Sequence, residues 1–176
     1  MGVKVNLKEK RSVLISGKAI LTVTKAGTRK FENGKLVDPG VIVVEIKADN
    51  IICDEGLQLL AGFAMDESAT YDTGITYCEI GSGTTAPAAG NTTLTTFGHR
   101  NAVTSRSRSA YIVTISTFFT AAEATYYIEE AGVWGGGDAA AGQATGLLFA
   151  HWLAEFDNSL GAYDVTATYI LTIARG

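Results

Sequence analysis

The clearest pattern in the chain lies in its last stretch. Tyr163, Val165, Ala167, Tyr169, Leu171 and Ile173 alternate with Asp164, Thr166, Thr168, Ile170 and Thr172, the period of two that lays one face of a strand on a core. Other segments supply companions. Residues 110–119 read as a long strand with Tyr111, Val113, Ile115, Thr117 and Phe119 on one face, residues 125–134 return to strand after a turn at 120–124, and residues 146–152 make another. Branched residues mark a strand at 41–46. Residues 12–16 and 19–24 read as two strands split by a turn at Gly17-Lys18, Asn33-Gly34 favours the positive backbone angles of a tight hairpin, and Asp38-Pro39-Gly40 punctuates again. Strands separated by turn signals, with one short helix, predict a mainly β chain: an antiparallel β-sandwich, jelly-roll or immunoglobulin-like, with an N-terminal extension. The expected division is a basic β segment or arm over residues 1–48 and the sandwich over 49–176.

The helix is expected over residues 55–65, with Asp54 as N-cap and Glu55 at the positive end of the helix dipole. Leu57, Leu60, Ala61 and Ala64 fall at helical spacing and predict the packed face. Asp66 to Gly74 reads as a polar loop.

Charge narrows the function. Apolar residues make up 47% and charged residues only 18%, below the usual quarter, which suggests that neighbours cover part of a surface rich in Thr, Ser, Ala and Gly. A net charge of -4 lacks the electrostatic footprint of a nucleic-acid binder. Locally, Arg100, Arg106 and Arg108 lie in a segment without acids, suited to phosphate, to an acidic partner, or to a solvated strand edge. The first 35 residues are also basic, with Lys4, Lys8, Lys10, Arg11, Lys18, Lys25, Arg29, Lys30 and Lys35 against Glu9 and Glu32. Such an arm can extend a neighbour's sheet edge or complete the chain's own sandwich. No signal-peptide pattern opens the chain, and no window of about 18 uncharged apolar residues occurs. A soluble protein made in a reducing cytoplasm, with no membrane partner, is expected.

Residues 77–94 run from a short strand into a long loop of small residues. Gly81-x-Gly83-x-x-Ala86 fits a relaxed dinucleotide fingerprint, but Pro87, Gly90 and Asn91 are turn formers where a helix would have to open. No Asp or Glu lies between Glu79 and Glu123 to hold a ribose, and no Gly-Lys-Ser/Thr closes a phosphate loop. A surface loop joining two β elements is the expectation.

Catalytic signals are sparse. His99 sits beside Arg100, His151 lies between Ala150 and Trp152, and no Gly-x-Ser-x-Gly elbow surrounds a serine. Glu129 and Glu130 are adjacent strand residues on opposite faces, and one of them is expected to be buried against an arginine. Cys53 and Cys78 lie in apolar runs without metal spacing and read as free, buried thiols. No catalytic residue, metal or cofactor is expected. Trp134 and Trp152 read as core or interface. The candidate interaction residues are Arg100, Arg106, Arg108, Tyr77 and Trp134, and a sugar-stacking alternative adds Tyr71.

Three segments together resemble small structural proteins of tailed bacteriophages: Asp54-Glu55-Gly56-Leu57-Gln58-Leu59-Leu60-Ala61-Gly62, the run from Cys78 to Ala88, and Phe119 to Ala124 followed by Ile128-Glu129-Glu130-Ala131-Gly132-Val133. The closing Val165 to Leu171 is similar to that group's final strand, so the resemblance covers about residues 50–176. It implies a non-enzymatic virion component made in the host bacterial cytoplasm. Its partners would be other virion proteins and copies of itself, as a homo-oligomer on tails (fibre, collar or baseplate) or, alternatively, as a head decoration or cement protein. A carbohydrate- or receptor-binding module is the second alternative. That family often places a carboxylate before the arginine that follows the glycine loop, where this chain has Gly98-His99-Arg100.

Overall fold

The structure, a computed structural model, describes residues 13–33, 35–65, 73–143 and 145–175. In chain order its elements are β1 (Val13–Lys25), β2 (Lys30–Glu32), β3 (Lys35–Asp38), β4 (Ile42–Asp49), β5 (Ile51–Ile52), α1 (Asp54–Ala64), β6 (Ile75–Gly81), β7 (Phe97–Ala102), β8 (Ser105–Ser109), β9 (Ile112–Phe119), β10 (Tyr127–Gly135), β11 (Leu147–Asp157) and β12 (Tyr163–Arg175). Two five-stranded antiparallel sheets, ordered β4-β1-β12-β9-β8 and β5-β11-β10-β6-β7, pack as a sandwich, and β2 and β3 form a separate hairpin. The fold is mainly β, as the alternating pattern predicts.

The centre of the first sheet joins the two ends of the described chain. β1 pairs with β12 from Val13 opposite Arg175 to Lys25 opposite Tyr163, with β4 on the other side of β1. Residues 13–25 and 42–49 therefore share a sheet with the final strand and complete the chain's own sandwich. The basic residues Lys4, Lys8, Lys10 and Arg11 lie outside the described residues. Arg29, from the same basic region, is tied inward: its Nη2 donates to Thr166 Oγ1 at 2.6 Å and its guanidinium lies 4.4 Å from the Phe118 ring centre.

Gly17-Lys18 is not a turn, because β1 runs straight through it. A Cβ on Gly17 would lie 2.5 Å from Tyr169 Oη and 2.6 Å from Asn50 Oδ1, so room for neighbours rather than chain reversal fits the glycine. The hairpin signal at Asn33 is correct, with φ 51 between β2 and β3; Gly34 lies outside the described residues.

Between the sheets, Leu21, Ile80, Phe119, Ile128, Val133, Trp152, Val165 and Tyr169 are buried in one cluster. Trp152 stacks on Tyr169 with ring centres 6.0 Å apart, and Phe149 meets Tyr169 edge-on at 5.9 Å. Each such pair adds about 0.5–1.5 kcal/mol beyond area burial. Both tryptophans belong to the interior, Trp134 and Trp152 each being 1% exposed.

Helix α1 begins one residue earlier than expected. Cys53 is the N-cap, without a side-chain cap bond, and the Asp54 N–H is satisfied by Ala89 O at 2.8 Å. Its packed face is Gly56, Leu59 and Gly62, not the expected Leu57, Leu60, Ala61 and Ala64, of which only Leu60 is partly buried. The physical reason is close approach: a Cβ on Gly56 would run into the Phe149 carbonyl of β11. The loop expected after the helix lies mostly outside the described residues, and Tyr71 with it.

Candidate functional site

The second sheet has two unlike faces. Cys78 and Ile80 of β6, Ala131 and Val133 of β10 and Trp152 of β11 point into the main core. The alternate side chains, Tyr77 and Glu79, Glu130 and Trp134, and His151, point the other way, and the connection between β6 and β7 folds over them. This is the long glycine loop, and no helix opens in it.

Its anchor is Glu130, which is fully buried. Glu130 Oε1 accepts the backbone N–H groups of Gly83 at 3.0 Å and Thr96 at 2.7 Å, and Oε2 accepts that of Thr95 at 3.0 Å. The two glycines of the fingerprint have a physical role here. A Cβ on Gly83 would collide with Glu130 Oε1, and one on Gly81 with Thr96 O. The loop thus does what a phosphate-cradling loop does, bringing N–H donors onto an anion, but the anion is the chain's own carboxylate.

His151 completes the arrangement. Its Nε2 lies 3.1 Å from Glu130 Oε2 and its Nδ1 3.1 Å from Asn91 Oδ1. Asn91 Oδ1 also accepts the Ala88 N–H at 2.7 Å, which fixes the amide orientation. Both imidazole nitrogens therefore face oxygens, and the imidazolium form donates to both. Burial raises the Glu130 carboxyl, but the His151 hydrogen bond and the Thr96 and Thr95 N–H groups outweigh it and hold Glu130 below the ordinary carboxylate range. One of the two adjacent glutamates is indeed buried, but its side-chain partner is a histidine rather than the expected arginine.

A second buried pair lies on the same face. Arg100 of β7 stands opposite Glu79 of β6, and its Nε and Nη2 reach Glu79 Oε2 at 2.7 and 2.6 Å. Its Nη1 donates to Thr145 O at 2.9 Å, Thr145 Oγ1 at 3.1 Å and Ala140 O at 3.3 Å, which ties down the loop between β10 and β11. The guanidinium lies 4.2 Å from the Trp134 ring centre. Burial raises the Glu79 carboxyl, and Arg100 opposes the rise. Arg100 does have an acidic partner, contributed by the strand before the glycine loop rather than by the residue preceding it.

The five candidate interaction residues divide accordingly. Arg100 and Trp134 are buried against each other and present nothing to a partner. Tyr77 and Arg106 both line an open pocket of about 360 Å³, with Thr73, Val103, Gly136 and Ala139. There the Arg106 Nε and Nη2 donate to Ile75 O at 3.2 and 3.1 Å. Arg108 stands apart on exposed β8, donating to Ala110 O at 3.1 Å. His99 lies 3.5 Å from Glu123 at the surface. Asn91 reads from sequence only as a turn former, and Thr95 and Thr96 carry no signal at all, because a small polar loop residue bears no mark of what it bonds.

Among the described residues no group of three or more His, Cys, Asp or Glu side chains is placed to hold a metal ion, and no helix there is long and apolar enough to cross a membrane. No protein-family model matches the chain, and no curated protein or solved structure matches it significantly.

Proposed function

We propose that the chain is a non-enzymatic structural protein of a tailed bacteriophage particle, assembled in multiple copies and associated with the tail as a fibre, collar or baseplate component. Head decoration is the alternative location. The observation that carries the structural reading is the placement of the chain's reactive groups: Glu79, Glu130, Arg100 and His151 are buried and bonded to internal partners, so their chemistry is spent on holding loops to a sheet. Contacts to other proteins then fall to exposed side chains, among them Phe31, Leu36 and Val37 of the hairpin and Ile42 and Val43 of β4. Repetition around a symmetric particle multiplies modest contacts into firm attachment.

Quantitative mass spectrometry of purified particles, separated into heads and tails, tests this reading. The expected result is a fixed copy number in the tail fraction; the head fraction would select decoration, and absence from both would overturn the proposal. One observation favours a second reading, a glycan- or receptor-binding module: Tyr77 and Arg106 share an open pocket. Glycan binding by the purified chain, lost in Tyr77→Ala with unchanged melting temperature, would select it. Trp134→Ala is not informative there, because Trp134 is buried.

A further inference from the structure

β4 ends the first sheet with eight residues whose outer backbone edge carries no strand among the described residues. Such an edge presents unpaired N–H and C=O groups that template another strand. Pairing two copies of one strand across a two-fold axis requires an antiparallel, self-complementary register. With Ile46 opposite the second copy's Ile46, Glu45 faces Lys47 twice and Val44 faces Ala48 twice. Keeping each side chain on its proper face allows slips of an even number of residues, the smallest being two. One such slip sets Glu45 against Glu45, and the other sets Lys47 against Lys47 and Glu45 against Asp49. Larger slips shorten the overlap from seven strand residues to five or fewer, so charge and overlap together select a single register, and Glu45, Lys47 and Asp49 are all exposed.

The other edges do not offer this. β5 has two residues, β7 has a single arginine already buried against Glu79 and no acid or base pair to set across a two-fold axis, and β8 carries Arg106 and Arg108 without an acid, so a second copy there would set like charge against like. We infer that β4 joins two copies of this chain edge to edge, making one continuous sheet of ten strands, five from each copy. This rests on the proposed reading that copies of the chain associate, and it names the surface they use.

Purified full-length chain tests it separately from particle composition. Sedimentation equilibrium is expected to show a monomer–dimer equilibrium. Lys47→Glu, which sets Glu45 against a second acid in both symmetric pairs, should weaken it roughly tenfold or more, and adding Glu45→Lys should restore it, with circular dichroism unchanged throughout. Oxidation should yield a covalent dimer from the double variant Glu45→Cys/Lys47→Cys, while either single cysteine cross-links poorly, since same-residue pairs are opposed only in the slipped registers. A monomer at every concentration, a dimer indifferent to Lys47→Glu, or cross-linking strongest in a single-cysteine variant overturns the inference. None of these outcomes bears on whether the chain is found in particles.

Discussion

The His151 imidazole lies 3.1 Å from the Glu130 carboxylate, with both side chains almost wholly shielded from solvent. The carboxylate is the common acceptor for one strand and three points along a loop, so its removal orphans several donors at once. Each buried N–H left without its acceptor costs roughly 1–3 kcal/mol.

Glu130→Gln keeps the volume but turns an amide N–H₂ toward N–H donors. We expect a loss of about 3 kcal/mol in urea unfolding, and a melting temperature lowered by about 6–12 °C for a chain of this size. A change within error would mean that the loop is held by other contacts.

The same carboxylate has a pH signature. Its folded-state value is held below the ordinary 4.5, so its contribution is present above that value and is lost as pH falls through the lower folded value. The stability gap between the parent chain and Glu130→Gln should therefore be open above the ordinary carboxylate range and close as pH falls below about 4. Glu79, raised chiefly by burial, is common to both proteins, and only the smallest of the causes that shift it, the Glu130 charge, differs between them. Urea midpoints measured across pH check this, and a gap that stays open in acid would contradict it.

Arg100→Lys should weaken the clamp without removing its charge. An ammonium cannot keep two nitrogens on Glu79 while reaching Thr145 and Ala140 and covering the Trp134 face. The expected cost is about 2 kcal/mol, with a red shift in tryptophan fluorescence as the loop between β10 and β11 loosens. An unshifted spectrum would place the cover of Trp134 elsewhere.

Cys53 and Cys78 are free and buried. Burial, helped by the Glu55 and Asp54 carboxylates, pushes the Cys53 thiol up to about 12, and burial likewise raises Cys78. Both should resist a thiol reagent at pH 8 in the native protein and react readily in urea. Fast native labelling of either would show that its cover opens.

Sequence pattern made the strands legible where burial follows a period of two. Val165, Ala167, Tyr169 and Leu171 are buried in alternation as their spacing predicts. Glycine was harder to read, because its causes look alike in sequence. Asn33 marks a true turn, whereas Gly17, Gly56 and Gly83 are small because a hydroxyl, a carbonyl and a carboxylate approach them from distant parts of the chain. The helix face was misassigned for that reason, since two of its three buried residues have no apolar side chain to signal burial. The buried charges escaped for another. Register shifts interrupt β10 against both neighbours, so parity along one strand does not reveal that Glu130 faces His151.

The pairing of β1 with β12 has a consequence for how the chain acquires its shape. The central ladder of the first sheet cannot form until the residues of β12 have been synthesised, so β1 leaves the ribosome long before its partner. Contacts this distant in sequence slow folding, and a waiting strand is exposed to aggregation. Vectorial synthesis therefore delays closure of the sandwich until β12 has emerged, and truncation within β12 removes the partner of the first described strand.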